Sequence, residues 1–298
     1  MADTENNARP PLRAGVIGLG MIGGGVAVSL SRRGRVPVIH DIRPDAADGL
    51  AGVPCPVASP AAVAQASDVI MVAVVDADQA RSVLTGEGGV LSTARAGSTV
   101  VLLSTVALAV VHELSAACAR AGVRFLDCGV TPGDKAAEHG MVAIVGGAPE
   151  DLAHARPVLE DWARTVVHCG PTGTGMAAKI ARNVVTYGSW RVVSEAVALS
   201  RAAGVEPATL AKVLETADPA GATLLQLLLL QSTDALTPDL RRQIADLMSK
   251  DLDAALALGG DLDVSLPSTT TVRATVTDTL APARARPHQP EASAKQEK

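Results

Sequence analysis

The residues AGVIGLGMIGGGVAVSL, numbers 14–30, carry the strongest indication of the fold. Ala14–Ile17 is a compact apolar run that predicts a strand, and the residues after the glycines have the spacing of a helix. Between them stands G-x-G-x-x-G, in which Gly18 permits a tight turn, Gly20 lets the backbone approach a pyrophosphate and Gly23 lets the helix pack close to the strand. The sequence therefore predicts a dinucleotide site formed by Gly18, Leu19, Gly20, Met21, Ile22 and Gly23.

An acidic residue follows the second predicted strand, Val36–His40. This residue is Asp41, which lies 18 residues beyond Gly23. A carboxylate at this point accepts hydrogen bonds from an adenosine ribose and repels a 2′-phosphate, so the sequence favours NAD. NADP is the alternative cofactor, because the guanidinium of Arg43 could pair with that phosphate. The alternative is that Asp41 only caps the turn before Pro44.

Further strands and helices alternate up to Cys169. Apolar runs predict buried strands at Val69–Val75 and Val100–Leu103, and ligands of such sheets gather at the carboxyl ends of the strands. We therefore expect the cofactor to contact Val74, Val75, Ser104 and Thr105, although the two hydroxyl residues could simply cap the next helix. The other predicted elements are strands at Arg124–Asp127, Met141–Val145 and Val166–Cys169 and helices at Pro60–Ala66 and Pro149–Trp162. The alternation predicts an α/β fold with a Rossmann-type doubly wound sheet.

From Pro171 onward only helical patterns remain. We predict a dinucleotide-binding Rossmann domain at 1–170, an all-α domain for substrate binding and oligomerisation at 171–281, and a disordered tail at 282–298. The run TLLQLLLLQ at Thr223–Gln231 is too apolar for a helix in water, so it predicts a subunit contact or a buried helix. The later helical patterns are Ala208–Thr216, Ala222–Gln231, Pro238–Leu258 and Pro267–Leu280.

The longest helical pattern begins with GTGMAAKIARN, Gly173–Asn183, and continues to about Ala203. Lys179 and Asn183 are four residues apart, so they lie on one face of that helix. An ammonium and a carboxamide placed in this way can hold a substrate oxygen, with the lysine giving or taking the proton. These two residues are the candidate catalytic pair. The alternative is a solvated lysine with a polar neighbour.

Composition and charge argue against several classes of protein. Only Phe125, Trp162, Tyr187 and Trp190 are aromatic and the net charge is −5, which disfavours nucleic-acid binding. The longest uninterrupted apolar run is far too short for a membrane span, and the polar N-terminus lacks the apolar core of a signal peptide. We therefore expect no membrane contact and a cytoplasmic location. The cysteines and histidines lack metal-ligand spacing, so we expect no metal and reduced, buried thiols.

Four separated segments, taken in order, match the pattern of one enzyme family. They are VIGLGMIG at Val16–Gly23, DCGVTPG at Asp127–Gly133, GTGMAAKIARN at Gly173–Asn183 and KDLDAAL at Lys250–Leu256. Together they resemble the β-hydroxyacid dehydrogenase family, which includes 3-hydroxyisobutyrate dehydrogenase and, more distantly, 6-phosphogluconate dehydrogenase. The resemblance implies an active site in the cleft between two domains and a homodimer or tetramer built on the helical domain.

The resemblance also implies roles for single residues. It makes Lys179 the catalytic acid–base, Asn183 a substrate-orienting partner and Lys250 a contact near the nicotinamide. The alternative for Lys250 is a surface residue of a helix, paired with Asp251 or Asp253.

The predicted substrate-binding residues are Thr131, Pro132 and Gly133, together with Lys179 and Asn183. The resemblance makes Thr131 and Gly133 the binders of the substrate carboxylate. The chain departs from the family here: Thr131 replaces a serine, Pro132 replaces a glycine and so removes a backbone N–H, and Gly129 replaces a frequent proline. These departures affect the identity of the substrate more than the reaction.

The expected function is therefore NAD-dependent hydride transfer to or from a small 3-hydroxy acid, with Lys179 as acid–base. One alternative is an NADPH-dependent reductase of semialdehydes or of glyoxylate. Imine reduction is another, but the related imine-reducing enzymes typically lack the lysine. A third alternative, from another class, is a non-catalytic regulator that binds a dinucleotide without turnover.

Overall fold

The computed structural model describes residues 11–233 and 235–281. The predicted tail at 282–298 and the first ten residues lie outside the described part of the chain. The described residues divide into two compact units, one ending at Val184 and the other beginning at Val185. The predicted domain boundary at 170/171 stays a prediction.

The first unit holds one sheet, whose seven strands in the described residues are β1 (Ala14–Ile17), β2 (Val38–His40), β3 (Val69–Val72), β4 (Thr99–Leu102), β5 (Arg124–Thr131), β6 (Met141–Gly146) and β7 (Ala163–Gly170). Their spatial order is β2-β1-β3-β4-β5-β6-β7. The first five strands are parallel; β6 pairs antiparallel with β5 and parallel with β7. The predicted Rossmann-type α/β fold is confirmed.

Helices cover both faces of this sheet. They are α1 (Met21–Arg32), α2 (Pro60–Ala66), α3 (Ala77–Thr85), α4 (Leu108–Arg120) and α5 (Pro149–Leu159). Neighbouring strand residues alternate between two apolar layers, so Val16 and Met71 belong to one layer while Ile17 and Val72 belong to the other. Every residue of β1, β3 and β4 is buried, because a parallel sheet between two helical layers has no wet face.

Several predicted strands have different ends in the structure. β2 begins at Val38, and β3 ends at Val72 instead of Val75, a residue that is 83% exposed. The prediction of a buried strand through Val75 was wrong because the apolar run continues past the edge of the sheet into a loop, and Asp76 then caps α3. β5 is longer than the predicted strand Arg124–Asp127 and extends to Thr131.

The second unit is helical in all of its described residues, as predicted. α6 (Thr174–Ala202) begins in the first unit and ends in the second; the later helices are α7 (Pro207–Ala217), α8 (Thr223–Ser232), α9 (Pro238–Asp261), α10 (Pro267–Ala274) and α11 (Val276–Thr279). The predicted helix at Pro267–Leu280 is thus two helices. None of the helices described here has the length and apolarity that a bilayer crossing requires.

A buried carboxylate fixes two elements of this second unit. Glu195 of α6 accepts hydrogen bonds from the backbone N–H groups of Ser268 (2.7 Å) and Thr269 (2.9 Å) at the start of α10. It also pairs with Arg191 one turn away on α6. Burial alone would raise the pKa of Glu195, but the backbone hydrogen bonds outweigh burial and lower it to about 2.

Candidate active site

The glycine-rich turn joins β1 to α1. Gly18 has a φ of +85°, and a methyl group placed on it would lie 2.4 Å from the Ala73 carbonyl oxygen. A methyl group on Gly23 would lie only 1.8 Å from the Gly18 carbonyl oxygen, so helix and turn meet closely there. Around Gly20, by contrast, the space is open, and no side chain caps the start of α1. An uncapped helix start with open space before it suits an anion such as a pyrophosphate.

A cavity of about 680 Å³ opens at the carboxyl ends of β1, β2 and β3. This volume lies within the range of small-molecule and cofactor sites. Six of the residues predicted to bind the cofactor line it: Gly18, Gly20, Asp41, Arg43, Val74 and Val75. The residues present thus fit a dinucleotide.

The Asp41 carboxylate is engaged within the protein. Its Oδ2 accepts from the Leu19 backbone N–H (2.7 Å) and from Arg43 Nη2 (3.2 Å). Its Oδ1 accepts from the Arg43 backbone N–H (2.9 Å) and from Arg43 Nε (3.1 Å). The Asp41 side chain is 7% exposed and that of Arg43 is 58% exposed, so the guanidinium is the more accessible group. Burial would raise the pKa of Asp41, but these bonds lower it to about 2.

Ser104 and Thr105 do not cap a helix as one prediction proposed. α4 begins at Leu108, with Ala107 before it. The Ser104 hydroxyl instead donates to the Val74 carbonyl (2.7 Å) and accepts from the Val74 N–H (2.9 Å), which ties β4 to the loop after β3. Thr105 is exposed beside it. Contacts of these two residues with a cofactor stay a prediction.

Lys179 lies in the second turn of α6, half-buried against β5. A methyl group placed on Gly129 would lie 2.3 Å from Lys179 Cβ and 2.7 Å from its Cγ, so the lysine stem rests directly on the strand backbone. The ammonium has no hydrogen bond or ion pair with any residue that the structure describes. Burial, and then the charge of Arg182, lower the pKa of Lys179 from its ordinary value. Asn183 follows one turn later and accepts a long hydrogen bond from Arg182 (3.4 Å).

The start of α6 is held by Asp127, a fully buried residue of β5. Its Oδ1 accepts from the Gly173 N–H (2.6 Å) and its Oδ2 from the Met176 N–H (2.7 Å). Close approach of the helix to the sheet is possible because Gly175 has no side chain: a methyl group there would lie 2.4 Å from the Gly146 nitrogen. Asp127 belongs to the segment DCGVTPG, but this role was not among the predictions from sequence. A buried acid ending an apolar run was the available signal.

The predicted substrate loop is fixed on α1. A cis peptide bond joins Thr131, the last residue of β5, to Pro132, and a short 3₁₀ helix, Gly133–Glu138, follows. A methyl group on Gly133 would lie 3.0 Å from Ile22 Cδ1, and the Ser29 hydroxyl donates to the Ala136 carbonyl (2.7 Å). The loop therefore lies beside the glycine-rich turn. Thr131 shares the strand face of Gly129, about 7 Å further along β5.

Lys250 lies on α9 in the second unit. Its ammonium is 3.2 Å from Asp251, and its side chain is 73% exposed. Asp253 pairs with Arg273 instead. A contact of Lys250 with the nicotinamide stays a prediction.

The four cysteines differ in their exposure to solvent. Cys118 and Cys128 are buried and Cys169 is partly buried, whereas Cys55 is exposed, contrary to the expectation of buried thiols. Burial raises the pKa of Cys118 to about 12. Among the described residues no group of three or more His, Cys, Asp or Glu side chains is placed to hold a metal ion.

Comparison with known sequence families matches both parts of the chain. Residues 13–170 match the family described as the NAD binding domain of 6-phosphogluconate dehydrogenase. Residues 173–291 match the family described as "NAD-binding of NADP-dependent 3-hydroxyisobutyrate dehydrogenase".

Individual proteins are similar over long stretches. A probable mitochondrial 3-hydroxyisobutyrate dehydrogenase of Dictyostelium discoideum is 34% identical over 204 residues, which are 68% of this chain and 64% of that protein. An uncharacterised oxidoreductase of Mycobacterium tuberculosis is 32% identical, covering 86% of this chain and 88% of its own. The crystal structure of a putative oxidoreductase from Mycobacterium avium 104 has a TM-score of 0.79 at 27% identity, covering 91% of this chain and 99% of that one.

Proposed function

The chain belongs to the β-hydroxyacid dehydrogenase family, and from this premise we propose that it is an oxidoreductase that uses NAD to oxidise a small 3-hydroxy acid resembling 3-hydroxyisobutyrate. One observation carries the proposal. Lys179 is half-buried on β5 with an ammonium that has no partner among the described residues, and its pKa is lowered. A lysine held in this way can exchange protons nearer neutrality than a solvated one.

The proposed mechanism assigns each group a task. During oxidation the neutral amine of Lys179 accepts the proton of the substrate hydroxyl as the carbon loses a hydride; in the reverse direction the ammonium returns the proton to the carbonyl oxygen. NAD, when bound, accepts and returns that hydride. The Asn183 carboxamide, one turn away, donates to the same oxygen. The Thr131 hydroxyl and the Gly133 N–H bind the substrate carboxylate.

The cofactor preference rests on Asp41 and Arg43. The four acceptor positions of the carboxylate are filled by Leu19 and Arg43, so a ribose hydroxyl must displace one bond of the guanidinium. We propose that NAD binds in this way, and that Arg43 can leave Asp41 to pair with the 2′-phosphate of NADP. Matched titrations with the two reduced cofactors test the preference.

We also propose that the protein is a homodimer formed through its helical unit. No residue of α8 is buried, and four of its leucines are exposed by 50–63%: Leu224, Leu225, Leu228 and Leu229. A helix this apolar is not stable in contact with water on all sides. Because most assemblies of identical chains are closed and symmetric, we propose that α8 of a second copy covers these leucines. Light scattering of wild type and of Leu228→Glu tests this proposal; a monomeric wild type would contradict it.

The test of the reaction is cofactor reduction, followed by absorbance, with a panel of 2- and 3-hydroxy acids and β-hydroxy amino acids at alkaline pH. We expect turnover of a 3-hydroxy acid, and loss of most turnover with retained NAD binding in Lys179→Ala. Lys179→Arg keeps a long cationic stem but cannot deprotonate, so it should be equally inactive. Lys212→Ala, at an exposed lysine of α7, is the matched control and should keep full activity.

The alternatives give different results in the same assays. Activity only with NADPH and a semialdehyde or glyoxylate would favour the reductase. Cofactor binding without turnover on any hydroxy acid or carbonyl compound would favour the regulator. Unchanged turnover in Lys179→Ala would overturn the assignment of the acid–base.

A further inference from the structure

Two residues of β5 face the start of α6. Asp127 and Gly129 are two apart on the strand, so they share one face of the sheet, and both are buried. Asp127 bonds to the first turn of the helix at Gly173 and Met176. Gly129 lies under the next turn, at Lys179. The strand therefore contacts the helix at two residues about 7 Å apart: Asp127, through hydrogen bonds, and Gly129, through van der Waals contact.

The contact at Gly129 leaves no room for a side chain. A methyl group there would be 2.3 Å from Lys179 Cβ, 2.7 Å from its Cγ and 3.4 Å from its Cδ. Ordinary contact between carbon atoms needs about 3.5 Å, so a side chain at this position would push the stem outward by roughly 1 Å. The helix cannot tilt away freely, because Asp127 and the close approach at Gly175 hold its first turn.

We propose that Gly129 is a positioning residue for Lys179: by having no side chain, it lets the lysine stem lie on β5 and so sets the distance of the ammonium from the substrate oxygen. The proposal rests on the proposed function, because it acts through the catalytic role of Lys179. Gly129 touches neither substrate nor cofactor in this scheme.

Burial of the stem supports the proposal. Burial is the larger of the two causes that lower the pKa of Lys179, and Arg182 on the same helix is the second. On β5, the Asp127 carboxylate is turned to the helix start and the Cys128 thiol lies on the opposite face of the strand. A stem displaced toward solvent loses burial, so its pKa rises toward the ordinary value of lysine.

The experiment compares Gly129→Ala with the wild type and with Gly260→Ala. Gly260 is an exposed helical glycine with nothing within 4 Å of a methyl group, so its substitution is the control. For Gly129→Ala we expect a kcat about 100-fold lower, since a displacement of about 1 Å costs that much in a positioned reaction. The affinity for NAD should stay within about twofold. The rising limb of the oxidation rate against pH should move to higher pH, because the neutral amine is the active form.

A purely structural role would give a different pattern. In that case Gly129→Ala would lower the melting temperature and the amount of active enzyme, but kcat per active site and the pH dependence of the oxidation rate would not change. This result would overturn the proposal. Inactive Lys179→Ala together with fully active Gly129→Ala would overturn this proposal alone. Active Lys179→Ala would overturn both this proposal and the proposed function.

A double variant keeps the proposal testable if Gly129→Ala does not fold. Lys179→Gly removes the Cβ that the new methyl group would meet, so Gly129→Ala should cost much less stability in that background than in the wild type. Equal destabilisation in both backgrounds would show that the contact with Lys179 is not the constraint and would overturn the proposal.

Discussion

Alanine at Gly20 and alanine at Gly23 should fail in opposite ways, although the residues belong to one motif. A methyl group on Gly20 meets nothing within 4 Å, and the backbone there (φ −68°, ψ −165°) is accessible to alanine. The free energy of unfolding of Gly20→Ala should therefore stay within about 0.5 kcal/mol of the wild type. The methyl group does occupy the open space before α1. Overpacking of about 1–3 kcal/mol would weaken dinucleotide binding by roughly 5- to 150-fold.

Gly23→Ala should lose stability instead. Its methyl group would lie 1.8 Å from the Gly18 carbonyl oxygen, which belongs to the backbone and has no flexible end that could move away. The start of α1 must shift by about 1 Å or more, at a cost of at least 1–3 kcal/mol. The melting temperature should fall by several degrees, at roughly 2–4 °C per kcal/mol.

Two measurements separate the variants: thermal and urea unfolding without cofactor, and titration with reduced NAD followed by fluorescence. Gly260→Ala, at an open helical glycine, is the control for the general effect of the substitution and should change neither binding nor the fold. Cofactor binding by Gly20→Ala as tight as that of the wild type would contradict the first expectation, and wild-type stability of Gly23→Ala would contradict the second.

Three other predictions concern charged groups. Asp127→Asn should lower the free energy of unfolding by about 2–4 kcal/mol, because the amide cannot accept from both N–H groups that it faces. Urea unfolding measures this loss, with Asp134→Asn at an exposed position as the control. Equal stability of the two variants would contradict the prediction. Glu195 has a folded pKa of about 2, below its ordinary 4.5, so it stabilises the fold above pH 4.5 and this contribution is lost as the pH falls toward 2. The unfolding free energy of Glu195→Gln should therefore depend less on pH in that window than that of the wild type. Parallel plots of unfolding free energy against pH for the two proteins would contradict the prediction. Arg43→Gln should weaken NADP binding about tenfold or more and leave NAD binding unchanged or tighter, as titration would measure; an equal loss for both cofactors would argue against a phosphate contact.

The fold was largely predictable because its signals are local. The strand, the glycine-rich turn and α1 lie within 20 residues, and the loss of strand patterns after Pro171 indicated the helical unit. Strand ends were less predictable, as Val75 and Thr131 illustrate. An apolar run indicates which residues are buried. The end of a strand depends instead on hydrogen bonds to a neighbouring strand, and that neighbour is distant in sequence.

The site divides in the same way. The sequence by itself determined the glycine-rich turn, Asp41 with Arg43, and the spacing of Lys179 and Asn183, because each depends on residues a few positions apart. Only the tertiary structure decided that Asp127 holds the start of α6 and that Gly129 lies under Lys179. These partners are about 50 residues apart, and no periodicity or spacing encodes a contact that forms only when a helix packs on a strand.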